Sequence, residues 1–386
     1  MKQTDSEANQ ISQPAKLIWV ASEIRTAIIR GEFNGIRNLP TRRDLMKRFD
    51  TSMATVQRSM EQLEKEGFIE SDGRRGTRVA ESLPHLSCFG LVFSGTPDAD
   101  ARKPQFWSRF WDMLSKEALN THRRRPPYRI KVFYDIHYQG DRRAHDLLLE
   151  AVERHQLAGL IFPYYIDEKF TDSPLLNRPD LPLATITPPE EGISDHASVY
   201  FDLSSWIDLA LSALAEKGRK RVAWVHSLGF GQTAMGAQPY TLAGFRDLVA
   251  RKARASGMET RPLWVTAVDS NNPSNAQSVV ELLLSAPAGE RPDAIVLADD
   301  HYAGGAIAAL MGLGVKVPEE VEVVTYRNFP DAPASGVPMT AIGFDMGELL
   351  DLCIDALVGI REHPDAPKPR KTLWPRGEKA AARPPS

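Results

Sequence analysis

The chain has 386 residues, too many for one ordinary domain, and this length favours two or three domains. Hydrophobic residues make up 42% and charged residues 25%, and no apolar run reaches the roughly 18 residues that a membrane span needs. Residues 1–13 are polar and lack the apolar core of a signal peptide, so we expect a cytoplasmic protein. Cys88 and Cys353 lie far apart, which predicts reduced thiols and argues against a disulfide framework or a Cys-based zinc site.

Charge is distributed unevenly along the chain. Residues 16–80 contain 13 Lys and Arg against 9 Asp and Glu, whereas residues 81–386 contain 33 against 39. A basic first segment joined to an acidic body is what a phosphate-binding segment requires, although an excess this small also arises by chance.

The first segment, predicted to fold over residues 16–80 after a disordered tail at 1–15, contains three helical patterns. The first helix has an apolar stripe formed by Leu17, Val20, Ile24 and Ile28. Capping signals mark the next two helices: Thr41 with Asp44 at the second, Ser52 at the start of the third and Gly67 at its end. The third helix has a buried stripe formed by Val56, Met60 and Leu63. The other side chains of its first turns are therefore placed to meet the edges of DNA bases.

A hairpin with a basic tip follows the third helix. Asp72-Gly73 is a strong turn signal, and Arg74 and Arg75 come directly after it. Helix, turn, helix and hairpin together predict a winged helix-turn-helix, a shape that fits a helix into a DNA major groove. The alternative is a winged helix that contacts only protein.

This segment resembles the GntR-type winged helix at Leu39-Pro40-Thr41, Arg43, Leu45, Ser52, Thr55-Val56, Leu63, Gly67, Gly76-Thr77 and Val79. The resemblance implies that Arg43 anchors a phosphate or guanine, that Thr55 meets a phosphate or base, and that the Gly76 region meets the minor groove. Helix position and resemblance together give these DNA-contact candidates: Thr41, Arg42, Arg43, Ser52, Met53, Ala54, Thr55, Gln57, Arg58, Arg74, Arg75 and Gly76.

Two of these positions depart from the family pattern, because Met53 and Gln57 stand where arginines are usual. Gln57 can pair bidentately with adenine, whereas Met53 offers only apolar contact, for instance to a thymine methyl group. We therefore expect an operator that differs from the usual one of the family.

The body is predicted over residues 88–375, after a linker at 81–87 and before a disordered tail at 376–386. Short apolar strands alternate with helices, which predicts an α/β fold with parallel sheets covered on both faces. Ligands of such sheets bind at the carboxyl ends of the strands. Strands are predicted at 88–94, 130–134, 158–162, 183–186, 221–226, 263–267, 294–298 and 321–325, and helices at 106–120, 141–155, 204–216, 242–255, 277–285 and 303–313.

The body resembles the LacI/GalR effector domain, which is similar to periplasmic sugar-binding proteins. The resemblance is clearest from Pro292-Asp293-Ala294-Ile295-Val296 through Asp300 to Gly305, and again from Val317 to Tyr326. It implies two α/β lobes with a ligand in the cleft between them. The implied ligand-binding residues are Phe106, Trp107, Thr241, Asp299, Arg327 and Phe344.

Several of these assignments have a competing interpretation. Thr241 replaces an arginine that holds ligand in the family, and Arg327 replaces an aspartate. Arg327 either binds a carboxylate or phosphate group or pairs with Asp299 or Asp300. The aromatic side chains of Phe106, Trp107 and Phe344 either stack on a sugar ring or pack in the core.

An enzymatic function is not expected. Asp299 and Asp300 are adjacent at an extended strand end, so we expect them to point to opposite faces and not to share acid–base work. The sequence has no nucleophile elbow, P-loop or His-Glu-x-x-His motif, and we expect no metal and no cofactor.

We therefore expect a ligand-responsive, DNA-binding transcription regulator of carbohydrate-related genes, resembling arabinose-repressor-type regulators. Its expected partners are double-stranded, pseudo-palindromic operator DNA, a sugar, sugar acid or sugar phosphate, and a second copy of the chain in a homodimer. Repression is the more common sign, and the sequence does not fix it. The alternative is a cytoplasmic small-molecule receptor whose winged helix docks a protein partner.

Overall fold

The computed structural model describes residues 13–35, 38–73, 76–95, 105–138, 141–164, 170, 172–188, 196–227, 242–269, 272, 274–331 and 336–377. The chain forms two compact units. One consists of residues 1–88 with 147–158, and the other of residues 89–146 with 159–386.

Three helices and a short hairpin make up the N-terminal part of the first unit: α1 (Gln13–Ile29), α2 (Arg42–Arg48), α3 (Met53–Glu66), β1 (Ile69–Ser71) and β2 (Thr77–Val79). Helix α1 begins at Gln13, so the disordered tail predicted for residues 1–15 is too long by three residues. Val20, Ile24 and Ile28 are buried as predicted, whereas Leu17 is partly exposed.

The core of this unit lies between α1 and α3. The buried stripes of the two helices meet Leu45 and Phe49 of the α2 segment and Phe68 before β1. The end of α3 is held by a buried ion pair, in which the Arg25 guanidinium donates to Glu66 Oε2 from Nη2 at 2.6 Å and from Nε at 3.2 Å. Gln62 donates to the second Glu66 oxygen at 2.9 Å. Arg154 Nη1 lies 3.6 Å from the same oxygen, so both oxygens of Glu66 have polar neighbours.

The segment predicted as a linker, residues 81–87, contains one helical turn, α4 (Pro84–Ser87). Ser87 donates its hydroxyl hydrogen to the Leu83 carbonyl oxygen at 2.8 Å, and Pro84 and Ser87 are buried. Proline at the first helical position explains the turn, since its fixed φ suits a helix start.

Nine strands and six helices of the α/β region follow in chain order, and the predicted ones differ from the prediction by a few residues at their ends: β3 (Cys88–Val92), α5 (Gln105–Arg124), β4 (Arg129–Phe133), α6 (Arg143–Glu153), β5 (Gly159–Phe162), β6 (Leu183–Thr185), β7 (Ala197–Phe201), α7 (Leu203–Glu216), β8 (Val222–Ser227), α8 (Leu242–Ala255), β9 (Val265–Val268), α9 (Asn275–Leu284), β10 (Ala294–Leu297), α10 (Ala303–Gly312) and β11 (Glu322–Phe329). Among these, β7 is an addition to the predicted set. The chain continues through β12 (Thr340–Asp345), α11 (Met346–Glu362), β13 (Arg370–Leu373) and β14 (Arg376–Gly377).

The strands form two six-stranded sheets. The first has the order β13-β7-β6-β5-β3-β4 and the second the order β14-β12-β11-β10-β8-β9. The second sheet is parallel from β12 to β9, with register pairs such as Leu297↔Val225 and Leu297↔Thr325. The predicted parallel α/β architecture is confirmed, since each central strand is buried along its whole length.

The C-terminal boundary of the prediction is wrong in one respect. Arg376 and Gly377, assigned to a disordered tail, form β14 antiparallel to β12, opposite Gly343 and Ile342. The Arg376 guanidinium is 2.6 Å from Asp345 and lies over the Phe329 ring, which explains why the chain stays on the sheet.

Two further features of the chain bear on its chemistry. Cys88 and Cys353 are both buried free thiols, and burial raises the pKa of Cys353 far above its ordinary value. None of the helices within the described ranges combines the length and apolarity that crossing a lipid bilayer requires.

The buried ion pair at the end of α3 gives a stability prediction. Glu66→Ala should lower the free energy of unfolding of the first unit by about 3–5 kcal/mol, because it leaves the Arg25 charge buried without a partner. Native-state hydrogen exchange of the α3 amides in the full chain measures this loss. The control is Glu70→Ala, which removes an exposed pair with Arg78 and should cost no more than about 1 kcal/mol. Equal losses in the two variants would contradict the prediction.

Candidate nucleic-acid interface and ligand site

The starts of α2 and α3 are fixed by side-chain caps. At α2, the Thr41 hydroxyl accepts from the Asp44 backbone N–H at 3.3 Å, while Asp44 Oδ2 accepts from the Thr41 backbone N–H at 3.1 Å. The hydrogen bond from the Thr41 hydroxyl, at 2.6 Å, is the main cause that lowers the pKa of Asp44. At α3, the Ser52 hydroxyl accepts from the Thr55 backbone N–H at 3.2 Å. Both predicted caps are thus present, and they set where each helix begins.

Most of the predicted contact residues on α2 and α3 are solvent-exposed. Thr41, Arg42 and Arg43 are exposed at the start of α2. On α3 the exposed or half-exposed side chains of the first three turns form one row: Met53, Ala54, Gln57, Arg58 and Glu61. Ala54, Arg58 and Glu61 lie opposite the buried stripe, and Met53 and Gln57 flank it on one side. The row is therefore directed to solvent and is available to a major groove.

Thr55 does not belong to this exposed row. Its side chain is buried, with 8% exposure, and its hydroxyl lies 2.9 Å from the Ser52 hydroxyl. The position therefore favours a role in holding the N-terminus of α3 over the DNA contact that the family resemblance implies. Ser52 is exposed but acts as the helix cap, so its hydroxyl is also engaged.

The hairpin has the register of a wing, with Ile69 opposite Val79 and Ser71 opposite Thr77. Gly76 has φ +95°, and a Cβ atom there would lie 3.2 Å from the Asn38 side chain, so both conformation and space favour glycine. Arg74 and Arg75 lie outside the described residues.

A second set of polar side chains lies at the carboxyl edge of the second sheet. Three neighbouring parallel strands, β8, β10 and β11, end there in residues that are at most 7% exposed: His226, Ser227, Asp299, Arg327 and Asn328. β10 itself is apolar along its length, and β11 also buries Glu322 and Thr325. Ligands of parallel sheets bind at the carboxyl edge. Burial lowers the pKa of His226 to about 4, so this imidazole is neutral at physiological pH.

Asp299, Asp300 and His301 come together after β10. His301 Nδ1 lies 2.8 Å from Asp299 Oδ1 and 3.3 Å from Asp300 Oδ1, and one ligand atom from each residue lies within 4.8 Å of the others. The expectation that the two carboxylates point to opposite faces is therefore wrong. The chain leaves the extended conformation at Asp300 and enters a 3-10 helix, Asp300–Tyr302, so the alternation of a strand no longer applies.

The simplest explanation for the proximity of these three side chains is that Asp299 caps the 3-10 helix. Asp299 accepts from the His301 backbone N–H at 3.0 Å and is the N-cap of the 3-10 helix. Two carboxylates and an imidazole are also a donor set that a divalent cation can use. Asp299 Oδ2 has no hydrogen-bond partner among the described residues, so it remains available as an acceptor.

Arg327 and Asn328 lie near the carboxyl end of β11, which ends at Phe329. Arg327 Nη1 donates to the Asp331 backbone oxygen at 2.9 Å, a partner that the sequence does not suggest. Asn328 Oδ1 accepts from the Tyr326 hydroxyl at 3.2 Å, while Asn328 Nδ2 has no hydrogen-bond partner among the described residues. Asn328 is a candidate that the sequence analysis misses, because one amide at the end of an apolar strand forms no recognisable motif.

The structure separates the remaining candidates. Phe344 is fully buried, and its ring packs 4.8 Å from the Phe201 ring and 6.1 Å from the Tyr326 ring, which supports core packing over cleft lining. Thr241 and the side chains of Phe106 and Trp107 lie outside the described residues.

Comparison with known proteins identifies both parts of the chain. Residues 19–79 match the bacterial regulatory proteins of the gntR family, and residues 211–377 match the periplasmic binding protein-like domain. The chain therefore carries a GntR-type winged helix followed by a periplasmic-binding-protein-like domain, which confirms the predicted combination.

Two curated relatives and one solved structure illustrate the similarity. Catabolite control protein A of Staphylococcus aureus (strain MRSA252) is 29% identical over 40% of this chain and 43% of that protein, so the chain spans less than half of its length. The arabinose metabolism transcriptional repressor of Geobacillus stearothermophilus is 24% identical over 85% of this chain and 86% of that protein. A LacI family transcriptional regulator from Arthrobacter sp. FB24, solved in complex with lactose, shares the fold with a TM-score of 0.50, at 20% identity over 75% of this chain and 97% of the other. The match to the bacterial regulatory proteins of the gntR family and the name of the Geobacillus stearothermophilus repressor agree with the predicted class, a DNA-binding transcription regulator.

The charge of Asp300 gives a pH prediction. Burial and the neighbouring Asp299 carboxylate raise the pKa of Asp300 to about 6, against an ordinary value of 3.8, although His301 and Arg109 oppose this shift. Between about pH 4 and pH 6 the carboxyl group therefore takes up a proton on folding. Its contribution to stability is fully present below about pH 4 and is lost as the pH rises through 6. Asp300→Asn, which cannot ionise, should raise the free energy of unfolding by about 1–3 kcal/mol at pH 7.5 and by much less at pH 4.5.

Urea unfolding of the full chain at the two pH values measures this difference. Asp247→Asn is the control, because Asp247 is exposed on α8. A gain for Asp300→Asn that is the same at both pH values would show that ionisation of Asp300 is not its cause.

Proposed function

We propose that this protein is a repressor of genes for carbohydrate use, which binds operator DNA through its winged helix. Its affinity for that DNA falls or rises when a sugar-type effector binds the α/β domain. The proposal rests first on one observation: the exposed row at the start of α3 is the part of a capped helix that a major groove can receive. The exposed arginine side chains of Arg42 and Arg43, at the start of α2, supply contacts to the DNA phosphates beside this row.

The effector class follows from the carboxyl edge of the second sheet. Asp299 Oδ2 is a buried acceptor and Asn328 Nδ2 a buried donor, and neither has a partner among the described residues. Leaving such groups unsatisfied costs about 1–3 kcal/mol each, so a ligand that both donates and accepts is favoured here. Hydroxyl groups do both, which supports a polyhydroxylated effector. The names of the arabinose repressor and of the lactose complex support the same class.

We propose in addition a homodimer in the cytoplasm, bound to a pseudo-palindromic operator, with no catalytic activity and no cofactor. The two recognition helices of such a dimer enter successive major grooves about 34 Å apart. Linkage requires that DNA change effector affinity by the same factor as effector changes DNA affinity, typically about 1–3 kcal/mol. We propose domain limits of 13–80 for the DNA-binding part and 88–377 for the effector-binding part.

The DNA-binding proposal is tested by selecting duplexes from a random pool with the full chain. We expect two inverted half-sites centred about one helical turn apart, and an affinity that falls steeply as salt rises. Arg43→Ala should weaken binding to every selected sequence and lower the salt slope by about one unit, whereas Arg251→Ala on α8 should leave both unchanged. Binding of a protein partner instead, with no enriched sequence, would support the alternative receptor role and refute this proposal.

The effector proposal is tested by thermal-shift measurement of the full chain against neutral sugars, sugar acids and sugar phosphates. Asp299→Ala should abolish any stabilisation, because it removes the buried acceptor, while Asp247→Asn should preserve it. Arg327→Ala should abolish the response to acids and phosphates but not to a neutral sugar. A full response in Asp299→Ala would remove this carboxylate from the site, and turnover of a bound sugar would argue for an enzyme.

A further inference from the structure

The exposed row of α3 contains a hydrogen bond between two of its own members. Gln57 Nε2 donates to Glu61 Oε1 at 2.7 Å. The two residues are four positions apart, so on a helix they lie on the same face, one turn above the other. Gln57 is half-buried and Glu61 is exposed, and neither side chain belongs to the buried stripe.

This hydrogen bond fixes the orientation of the Gln57 side-chain amide. An amide side chain has a donor end and an acceptor end of nearly equal size, and an isolated glutamine can present either end. A carboxylate only accepts, so the end facing Glu61 must be the NH₂ group. The carbonyl oxygen Oε1 then points to the other side, and one of the two N–H bonds of the NH₂ group is already engaged.

The fixed amide is matched to one base of the major groove. Adenine presents an N6–H donor beside the N7 acceptor, which fits the remaining Oε1 acceptor and the remaining N–H donor of Gln57. Guanine presents two acceptors, O6 and N7, and would need both N–H bonds of the NH₂ group. Because Glu61 holds one of these, guanine leaves an acceptor unpaired and brings it near a carboxylate.

We propose that Glu61 is a specificity-determining residue, which orients the Gln57 amide so that the third helix selects an A·T pair and rejects a G·C pair at one operator position. Glu61 acts through Gln57 and is in this sense a positioning residue. This inference rests on the proposed function, because it requires that α3 reads base edges.

The chain contains a matched control for the test. Gln277 Nε2 donates to Glu281 Oε1 at 2.9 Å on α9, a pair of the same residue types at the same spacing, but outside the winged helix. Removing Glu281 therefore reproduces the loss of one exposed glutamine–glutamate bond without touching the proposed reading face. The other such pair on α3, Gln62 with Glu66, is unsuitable because Glu66 is half of the buried ion pair.

The experiment compares four full-length proteins: the wild type, Glu61→Ala, Gln57→Ala and Glu281→Ala. Each is used to select duplexes from a random pool, and the preference of adenine over guanine at each position is then measured by competition between otherwise identical duplexes. In Glu61→Ala the preference should fall about fivefold or more at a single position, the one that Gln57→Ala also changes, and stay unchanged elsewhere. Glu281→Ala should select the wild-type sequence. Thermal midpoints of all four proteins should agree closely, since Glu61 is exposed and Gln57 and Glu281 are only half-buried.

The outcomes separate failure of this inference from failure of the function. If the wild type enriches no sequence, the DNA-reading function itself fails, and the inference fails with it. If Gln57→Ala changes one position while Glu61→Ala selects the wild-type sequence, the function stands and the orienting role of Glu61 is wrong. A change spread evenly over all positions in Glu61→Ala also overturns the inference, because loss of a negative charge alone acts on the backbone phosphates and not on one base.

Discussion

The rotation of α3 about its own axis is the constraint on which the DNA-binding face depends. Val56, Met60 and Leu63 must all be buried, and this fixes which side chains point outward. The Ser52 cap fixes where the helix starts, and the Arg25–Glu66 ion pair holds its far end against α1. With start, end and rotation fixed, the exposed row has no remaining freedom except that of its side chains. The Gln57–Glu61 hydrogen bond also restricts the side-chain conformation of Gln57.

The winged helix could be read almost completely from sequence because its signals are local. Thr41 with Asp44 is a capping box within four residues, and Ser52 and Gly67 bound α3 in the structure as the pattern predicts. The pattern does not show how deeply each side chain is buried. Thr55 is one position from Val56, and a helix wheel places it at the edge of the stripe, where small packing differences decide whether it is buried. No pattern in the sequence settles such a case.

The sequence predicts the apolar strands of the α/β region and misses those that contain polar residues. The interior strands β7 (Ala-Ser-Val-Tyr-Phe) and β12 (Thr-Ala-Ile-Gly-Phe-Asp) are absent from the predicted set. At the sheet edges, β13 is Arg-Lys-Thr-Leu and β14 has two residues, so neither carries a hydrophobic pattern. The ligand site shows the same limit. The sequence predicts Asp299 as a ligand contact because Asp299 follows a strand that resembles a family motif. Its proximity to Asp300 and His301 depends on a 3-10 helix, and no pattern in the sequence predicts that helix.

The two buried thiols have a practical consequence. Cys88 and Cys353 are shielded from solvent, and a thiol that rarely ionises reacts slowly with maleimides and other alkylating reagents. The natural chain is therefore a nearly silent background for chemical labelling. A single cysteine introduced at an exposed position, such as Leu282, could carry a fluorophore or spin label without removal of either native cysteine. The mobility and solvent environment of that position could then be followed by spectroscopy in solution.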